Sequence, residues 1–363
     1  LAPTSLIDDE YMSRQWATID PESGDVLGRI ETEGKLAAGA ISPNGERVAF
    51  IGPDSINDPS AGRLMVAGAD GGVPEILLGR DFLGEVQAVR WVGDDELMIL
   101  ADEDVHSFVA RIPADGGKMK KVVDQKHPLV TAFDVSADGN VMAARAEGPT
   151  HPSELFTGRT GKDLERATDH NPWFADIEFA EQRVVEYAAR DGLMLQGILI
   201  EPLGKVESQR YPLIVVVHGG PESHEKDGWK TYYSRVGQFA AAEGFAVFYP
   251  NYRGSTGRGV EFTLTSQGDP GGKEFDDVVD GVDYLIETGL VDGDRVGING
   301  GSYGGYASAW GATYYSERYA AAAMFVGVSE QFSKFGTTDI PRESQLVHQN
   351  PKKTYTDWQF FLE

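Results

Sequence analysis

The residues of this chain most able to do chemistry are those of Gly300-Gly301-Ser302-Tyr303-Gly304, which match the pattern G-x-S-x-G. Residues 295–299 are predicted to form a short buried strand before the motif, and residues 303–315 a helix after it. A strand, a sharp glycine turn and a helix are the context in which this pattern presents a serine as a nucleophile. The alternative is an ordinary β-turn-α junction with a buried serine. The sequence therefore predicts that Ser302 is a catalytic nucleophile.

A nucleophilic serine also needs donors for the negative charge that develops on the attacked carbonyl oxygen. The backbone N–H of the next residue, Tyr303, is one candidate, and a glycine-rich loop after an earlier strand usually supplies the other. Residues 212–217 read as a buried parallel strand, and His218-Gly219-Gly220-Pro221 follows it. We expect this loop and Ser302 to meet at one edge of a sheet. The alternative is a simple tight turn in which His218 is a satisfied polar side chain.

Strands and helices alternate from about residue 171 onward, which is typical of a doubly wound, mostly parallel sheet. Together with the serine turn, this pattern predicts an α/β-hydrolase catalytic domain over residues 171–363. The predicted elements are a hairpin (183–187 and 193–200), strands at 212–217, 245–249, 295–299 and 319–328, and helices at 232–243, 275–287 and 303–315.

Residues 1–170 have a different pattern, in which short apolar runs are separated by glycine and asparagine turns. Turns of similar composition recur about every 45–49 residues, as at Ser42-Pro43-Asn44-Gly45 and Ser136-Ala137-Asp138-Gly139. A repeat of this length with four short strands per unit indicates a β-propeller. We expect about three and a half blades of a partial, N-terminal propeller, and a β-sandwich is the alternative.

Composition excludes several classes of function. The net charge of −25 argues against a nucleic-acid partner. The sequence has no unbroken apolar run of 18 residues, so no membrane-spanning helix is predicted. The absence of cysteine rules out thiolate metal sites and cysteine nucleophiles, and no H-E-x-x-H motif occurs. We therefore predict no metal and no cofactor. The N-terminus lacks signal-peptide features and an initiator methionine, so the compartment stays unknown.

Four ordered motifs resemble those of the prolyl oligopeptidase family of serine peptidases, in its acylaminoacyl-peptidase and dipeptidyl-aminopeptidase-like branch. They are HGGP (218–221), NYRGSTG (251–257), GGKEFDDV (271–278) and GGSYGGY (300–306). The resemblance implies a propeller that restricts access to a peptidase site, and short peptides as substrates. It implies Ser302 as nucleophile, Tyr303 and Gly220 as oxyanion donors, and His218 as a support for substrate or oxyanion. Arg253 is expected to organise loops beneath the site.

The family's catalytic Asp and His would follow Ser302, but after residue 328 the chain offers only Asp339, Asp357 and His348. Residues 329–363 read as polar loops and helices with no strand to present a triad. We therefore expect the C-terminal part of the hydrolase domain, with its Asp and His, to lie beyond residue 363. An esterase on the same fold and a non-catalytic peptide-binding propeller protein remain alternatives. Substrate specificity stays open, and exposed sheet edges make a homo-oligomer plausible.

Overall fold

The N-terminal half is built from small antiparallel sheets in the computed structural model, which describes residues 12–362. A two-stranded sheet precedes three four-stranded sheets, and the strands of each four-stranded sheet pair in chain order. The strands are β1 (Ala17–Ile19), β2 (Val26–Arg29), β3 (Gly39–Ile41), β4 (Arg47–Gly52), β5 (Arg63–Gly68), β6 (Gly71–Leu78), β7 (Glu85–Val92), β8 (Glu96–Glu103), β9 (His106–Pro113), β10 (Lys120–Val123), β11 (Leu129–Val135), β12 (Val141–Gly148), β13 (His151–Arg159) and β14 (Glu165–Arg166). Four-stranded meanders of this kind are the blades of a propeller.

The repeated turns of this half share one hydrogen-bond pattern. Ser42 Oγ donates to Asn44 Oδ1 at 2.7 Å, and Ser136 Oγ donates to Asp138 Oδ1 at 2.6 Å. Each serine hydroxyl also accepts the backbone N–H of the residue five positions later, at 3.0 Å. The sequence repeat is therefore a structural repeat as well. The part of the blade prediction that concerns residues 1–11 lies outside the described residues.

The C-terminal half contains one six-stranded sheet in the order β15-β16-β18-β17-β19-β20. The first three of these strands pair antiparallel, and the last four in this order pair parallel. The strands are β15 (Gln182–Ala188), β16 (Met194–Ile200), β17 (Tyr211–Val217), β18 (Ala246–Asn251), β19 (Val291–Gly301) and β20 (Ala321–Phe325). The helices are α1 (Gly237–Ala242), α2 (Val260–Thr263), α3 (Lys273–Glu287), α4 (Tyr303–Thr313), α5 (Gln331–Thr337) and α6 (Pro341–Glu343), with a π-turn at Ser344–His348. Mostly parallel strands covered by helices confirm the predicted hydrolase-type architecture.

The core of this half lies between the sheet and helices α3 and α4. The apolar positions predicted from helical spacing in α3 are buried, with Val282 and Leu285 fully enclosed. They pack against the central strands, where Val215 and Ile298 are also buried. This packing holds the strand ends, and therefore the loops that follow them, in fixed positions.

The predicted helix over residues 232–243 is wrong in its first part, because α1 begins only at Gly237. Tyr232 and Arg235 instead exchange backbone hydrogen bonds of 3.2 and 3.0 Å in a tight bridge. Gly237 has a φ of 36°, outside the right-handed helical region. The Arg235 guanidinium forms an ion pair with buried Glu225. Long-range contacts therefore outweigh local helical propensity here.

The two halves meet at the loops that follow the parallel strands. Asp104 N–H donates to Gly257 O at 2.7 Å, and Asp227 N–H donates to Val105 O at 2.8 Å. Lys226 Nζ lies 3.0 and 3.2 Å from the carboxylate oxygens of buried Asp102. The small sheets therefore lie against the edge at which the predicted site is located. Within residues 12–362, no helix has both the length and the apolar character needed to cross a bilayer.

Candidate active site

Ser302 stands at the sharp junction between β19 and α4. Its φ of 57° and ψ of −120° are strained for a residue with a side chain, and its side chain is exposed. Such outliers persist only where the surroundings impose them, and they concentrate at functional sites. One restraint is the Ser302 N–H, which donates to Phe325 O on the neighbouring strand at 3.0 Å. The predicted strand–turn–helix around Ser302 is therefore present.

Two glycines allow α4 to pack closely on β17. A Cβ at Gly304 would lie 2.0 Å from Val217 O, and a Cβ at Gly300 would lie 2.5 Å from the same oxygen. No real Cβ tolerates such distances from backbone, so any side chain at either position would push the helix away from the sheet. The glycines of the motif thus set the position of Ser302 through main-chain packing.

The loop His218-Gly219-Gly220-Pro221 lies beside Ser302, as the sequence predicts. Val217, the last residue of β17, pairs with Gly300 of β19, so both strands end at the same level. A Cβ at Gly219 would lie 3.1 Å from Ser302 Cβ and 3.6 Å from Ser302 Oγ. The backbone of residues 218–221, which we call the oxyanion loop after its predicted role, therefore lies next to the serine.

The two predicted oxyanion donors have unoccupied backbone N–H groups within the described structure. Neither Tyr303 N–H nor Gly220 N–H donates a hydrogen bond to any residue in the range 12–362. The Tyr303 N–H is one of the first amides of α4, which have no partner within the helix. Gly220 is exposed and has a φ of 123°, a conformation that favours glycine. Both groups can donate to an oxygen bound next to Ser302.

The His218 side chain is buried and engaged within its own surroundings. Its Nδ1 lies 2.9 Å from Gly219 O, its Nε2 lies 3.0 Å from Ser255 Oγ, and its ring stacks on Tyr252 with centroids 4.4 Å apart. Burial lowers the pKa of His218 to about 4, so the ring is neutral at pH 7. With both nitrogens occupied, the side chain braces the oxyanion loop.

We call the sharp turn at residues 300–304 the elbow. Beneath it, the Tyr303 hydroxyl donates to Glu274 Oε1 at 2.7 Å. The same oxygen accepts the Gly271 N–H at 2.7 Å, and Glu274 is fully buried. Burial raises the pKa of Glu274 to about 8. A carboxyl group from the motif at 271–278 therefore supports the residue next to the nucleophile.

Arg253 organises the loops behind the site, as predicted. Its guanidinium forms a two-pronged contact with buried Asp277 at 2.7 and 2.8 Å and a second with Asp191 at 2.8 and 3.0 Å. Four charge-assisted hydrogen bonds in a planar fork give this arginine a fixed geometry. It joins the hairpin turn after β15, the segment after β18, and helix α3.

A group of four charged or titratable side chains next to the oxyanion loop was not anticipated from sequence. We call it the Lys35 cluster, and its members are Lys35, Glu222, Glu343 and His348. These positions are separated by more than 100 residues, except for the last two, so no local motif could have revealed them. The one available signal was the position of Glu222, directly after the HGGP motif.

The Lys35 cluster has the ligand types of a metal site, because one atom each of Glu222, Glu343 and His348 lie within 4.8 Å of one another. Lys35 Nζ, however, contacts both carboxylates, at 2.6 Å from Glu343 and in a short ion pair with Glu222. The lysine ammonium therefore supplies the cation that these carboxylates need.

No histidine of the chain contacts Ser302 Oγ within residues 12–362. The seven histidines are engaged with other groups or with one another: His106 with His127, His127 with Asp227, His151 with Pro152, His170 with Glu154, His218 with Ser255, His224 with Thr256, and His348 with Glu222. Residues 329–348 form helices and turns, as predicted. The described residues thus place the predicted nucleophile beside the two predicted oxyanion donors, and no histidine among them forms a hydrogen bond with Ser302 Oγ.

A family model matches this chain over residues 231–360, and its description is the prolyl oligopeptidase family. The match includes the elbow and the motifs at 251–257 and 271–278. Residues 231–360 of this chain are therefore similar to the prolyl oligopeptidase family.

Curated proteins named as peptidases are similar to this chain over part of their length. The uncharacterized peptidase YuxL of Bacillus subtilis is 36% identical over 234 residues, which are 63% of this chain and 33% of the relative. Dipeptidyl aminopeptidase BIII of Pseudoxanthomonas mexicana is 38% identical over 178 residues, or 47% of this chain and 25% of the relative. The chain thus matches a quarter to a third of the length of these relatives.

The acylaminoacyl peptidase of Pyrococcus horikoshii resembles this chain in structure with a TM-score of 0.74 at 23% identity. The likeness covers 92% of this chain and 51% of the archaeal protein. It therefore shows that the small sheets and the hydrolase sheet together form a fold that this solved structure shares.

Proposed function

We propose that the protein is a serine peptidase that hydrolyses short peptides through an acyl-enzyme on Ser302. The observation that carries this proposal is the contact between the exposed Ser302, on its strained turn, and the Gly219 backbone, 3.6 Å from the hydroxyl to a Cβ position. The similarity to relatives named as peptidases supports it.

In this mechanism Ser302 Oγ attacks the carbonyl carbon of the substrate while its proton passes to a base. The carbonyl oxygen becomes an oxyanion and accepts hydrogen bonds from Tyr303 N–H and Gly220 N–H. Collapse of this intermediate breaks the C–N bond, and the leaving amine takes the proton. Water then attacks the ester on Ser302, releases the carboxylic acid and returns the proton to the serine.

A serine hydroxyl attacks slowly unless a base accepts its proton. Because the seven histidines in residues 12–362 have other partners, we propose that the activating Asp and His belong to a part of the protein outside these residues. His218 then acts on the loop conformation, and His348 acts within the Lys35 cluster.

A cavity of about 340 Å³ lies between the first four-stranded sheet region and the oxyanion loop. Its lining includes Gly220 and Glu222 of the C-terminal half and Lys35, Pro59 and Glu85 of the N-terminal half. We propose that this cavity receives part of the peptide, since it opens beside an oxyanion donor. The small sheets would then limit substrate size, as the family resemblance implies.

The test is hydrolysis of short peptide anilides and matched esters by the native protein and its Ser302→Ala variant. We expect peptide cleavage by the native protein and a loss of at least about 10³-fold in the variant. The exposed Ser316, changed to alanine, is the matched control and should leave the rate unchanged. Cleavage of esters alone would favour the esterase alternative, and peptide binding without turnover would favour a binding protein.

A further inference from the structure

The Lys35 cluster is a buried network of one lysine, one histidine and two glutamates. The side chains of Lys35, Glu222, Glu343 and His348 are exposed by 8%, 16%, 2% and 8% respectively. His348 Nε2 lies 3.1 Å from Glu222 Oε2 and 3.5 Å from Glu343 Oε1. Buried charges in this setting are stable only as long as their partners remain.

The charges of the cluster depend on one another. Burial alone would raise the pKa of Glu222, but His348 and Lys35 hold it well below its usual range. Burial alone would likewise lower the pKa of Lys35, but Glu222 and Glu343 raise it. Removal of Lys35 would therefore leave two carboxylates buried together with too little positive charge.

The cluster joins three separate parts of the molecule. Lys35 lies between β2 and β3 in the N-terminal half, and Glu222 comes two residues after Gly220. Glu343 and His348 belong to α6 and the π-turn that follows it. The segment with His348 is itself anchored, since Gly268 N–H donates to His348 O at 2.8 Å.

The cluster also touches both sources of oxyanion donors. Glu222 continues the oxyanion loop, and the His348 ring lies 6.3 Å from the Tyr303 ring, centroid to centroid. A shift of Glu222 would move Gly220, because only Pro221 separates them. Lys35, a residue of the N-terminal half, is thus linked through its ion pairs to the segments that carry the Tyr303 and Gly220 N–H groups.

We propose that the Lys35 cluster positions the oxyanion loop against the elbow, and that Lys35 makes this position depend on contact with the N-terminal sheets. The inference rests on the proposed function of Ser302. Lys35, Glu222, Glu343 and His348 are positioning residues in this account, since their ion pairs act on the segments that carry the backbone donors.

The test compares an ester with its thionoester, in which sulfur replaces the carbonyl oxygen, in the native protein. Sulfur is larger and accepts hydrogen bonds weakly, so an intact oxyanion site favours the oxygen substrate. For Lys35→Met we expect the ester kcat to fall about 10- to 100-fold with KM little changed, and the ester-to-thionoester rate ratio to fall as well. Lys35→Arg should retain most of the native ester kcat and most of the native rate ratio.

The matched control is Lys121→Met, which removes a lysine paired with Glu103 on the N-terminal sheets. It should leave both the rate and the ratio unchanged. Glu222→Gln retains the side-chain shape and serves as a second variant if Lys35→Met does not fold. It should lower the ratio in the same way.

An unchanged rate ratio in a folded Lys35→Met or Glu222→Gln variant would overturn this inference while leaving Ser302 as the nucleophile. An inactive native protein would instead refute the proposed function, and this inference with it. The two failures are therefore distinguishable in one set of assays.

Discussion

The elbow and the oxyanion loop lie in contact, yet they are held in different ways. Main-chain packing sets the position of the elbow, through strand pairing and glycines that let α4 approach Val217. The oxyanion loop is positioned by side chains, through His218 and Ser255 on one side and Glu222 and Lys35 on the other. The position of the proposed nucleophile therefore depends on local backbone geometry, whereas the position of the proposed oxyanion donor Gly220 depends on contacts between distant segments.

The sharpest test of the elbow's dependence on backbone packing is Gly304→Ala. A methyl group 2.0 Å from Val217 O cannot be accommodated, so α4 must move and carry Ser302 with it. We expect loss of Ser302 reactivity and a drop in unfolding free energy of about 3 kcal/mol or more, measured by probe labelling and denaturant unfolding.

Gly297→Ala is the matched control on β19, because a Cβ there would come no closer than 3.7 Å to its neighbours. This variant should fold and react normally. Equal damage from both variants would show that the close approach at Gly304 has no special role.

Arg253→Met tests the side-chain scaffold behind the oxyanion loop. The change would leave Asp277 buried without its charge partner, and we expect the free energy of unfolding to fall by about 3 kcal/mol or more. Urea unfolding measures the loss. Arg318→Met removes a partly exposed pair with Asp283 and should cost less than about 1 kcal/mol. Similar losses from both variants would contradict a scaffold role for Arg253.

The last prediction concerns the pH dependence of stability, through the Glu274 carboxyl beneath Tyr303. The pKa of Glu274 lies at about 8 in the folded protein, above its ordinary value of 4.5, so the folded state holds this proton more tightly than the unfolded chain. Its stabilisation is fully present below pH 4.5 and is lost as the pH rises through about 8. Unfolding followed between about pH 5 and 9 should show this decline, and Glu274→Gln should flatten it. An identical pH profile in the variant would exclude Glu274 as the source.

Sequence could predict the elbow well, because its glycines, strand and helix are adjacent in the chain. It also predicted that residues 218–221 would meet Ser302, since parallel strands end at the same edge of a sheet. It could not predict the Lys35 cluster, in which Lys35 and Glu222 are 187 residues apart. The helix expected at 232–243 was too long because Arg235 forms an ion pair with Glu225, a tertiary contact that helical spacing does not reveal.

The role of His218 shows a further limit of sequence. Its place in the HGGP motif suggested support for the oxyanion, but only coordinates reveal that Ser255, Tyr252 and Gly219 O surround its ring. Motifs indicate which residues gather at the site. The role of each residue depends on which groups its side chain contacts in the folded protein.

The most direct test of the central claim is to treat the native protein with a fluorophosphonate probe and locate the adduct by peptide mass spectrometry. The account predicts one phosphonyl group per chain, attached to Ser302, and none in the Ser302→Ala variant. A folded native protein that remains unlabelled, or that carries the adduct on another serine, would contradict it.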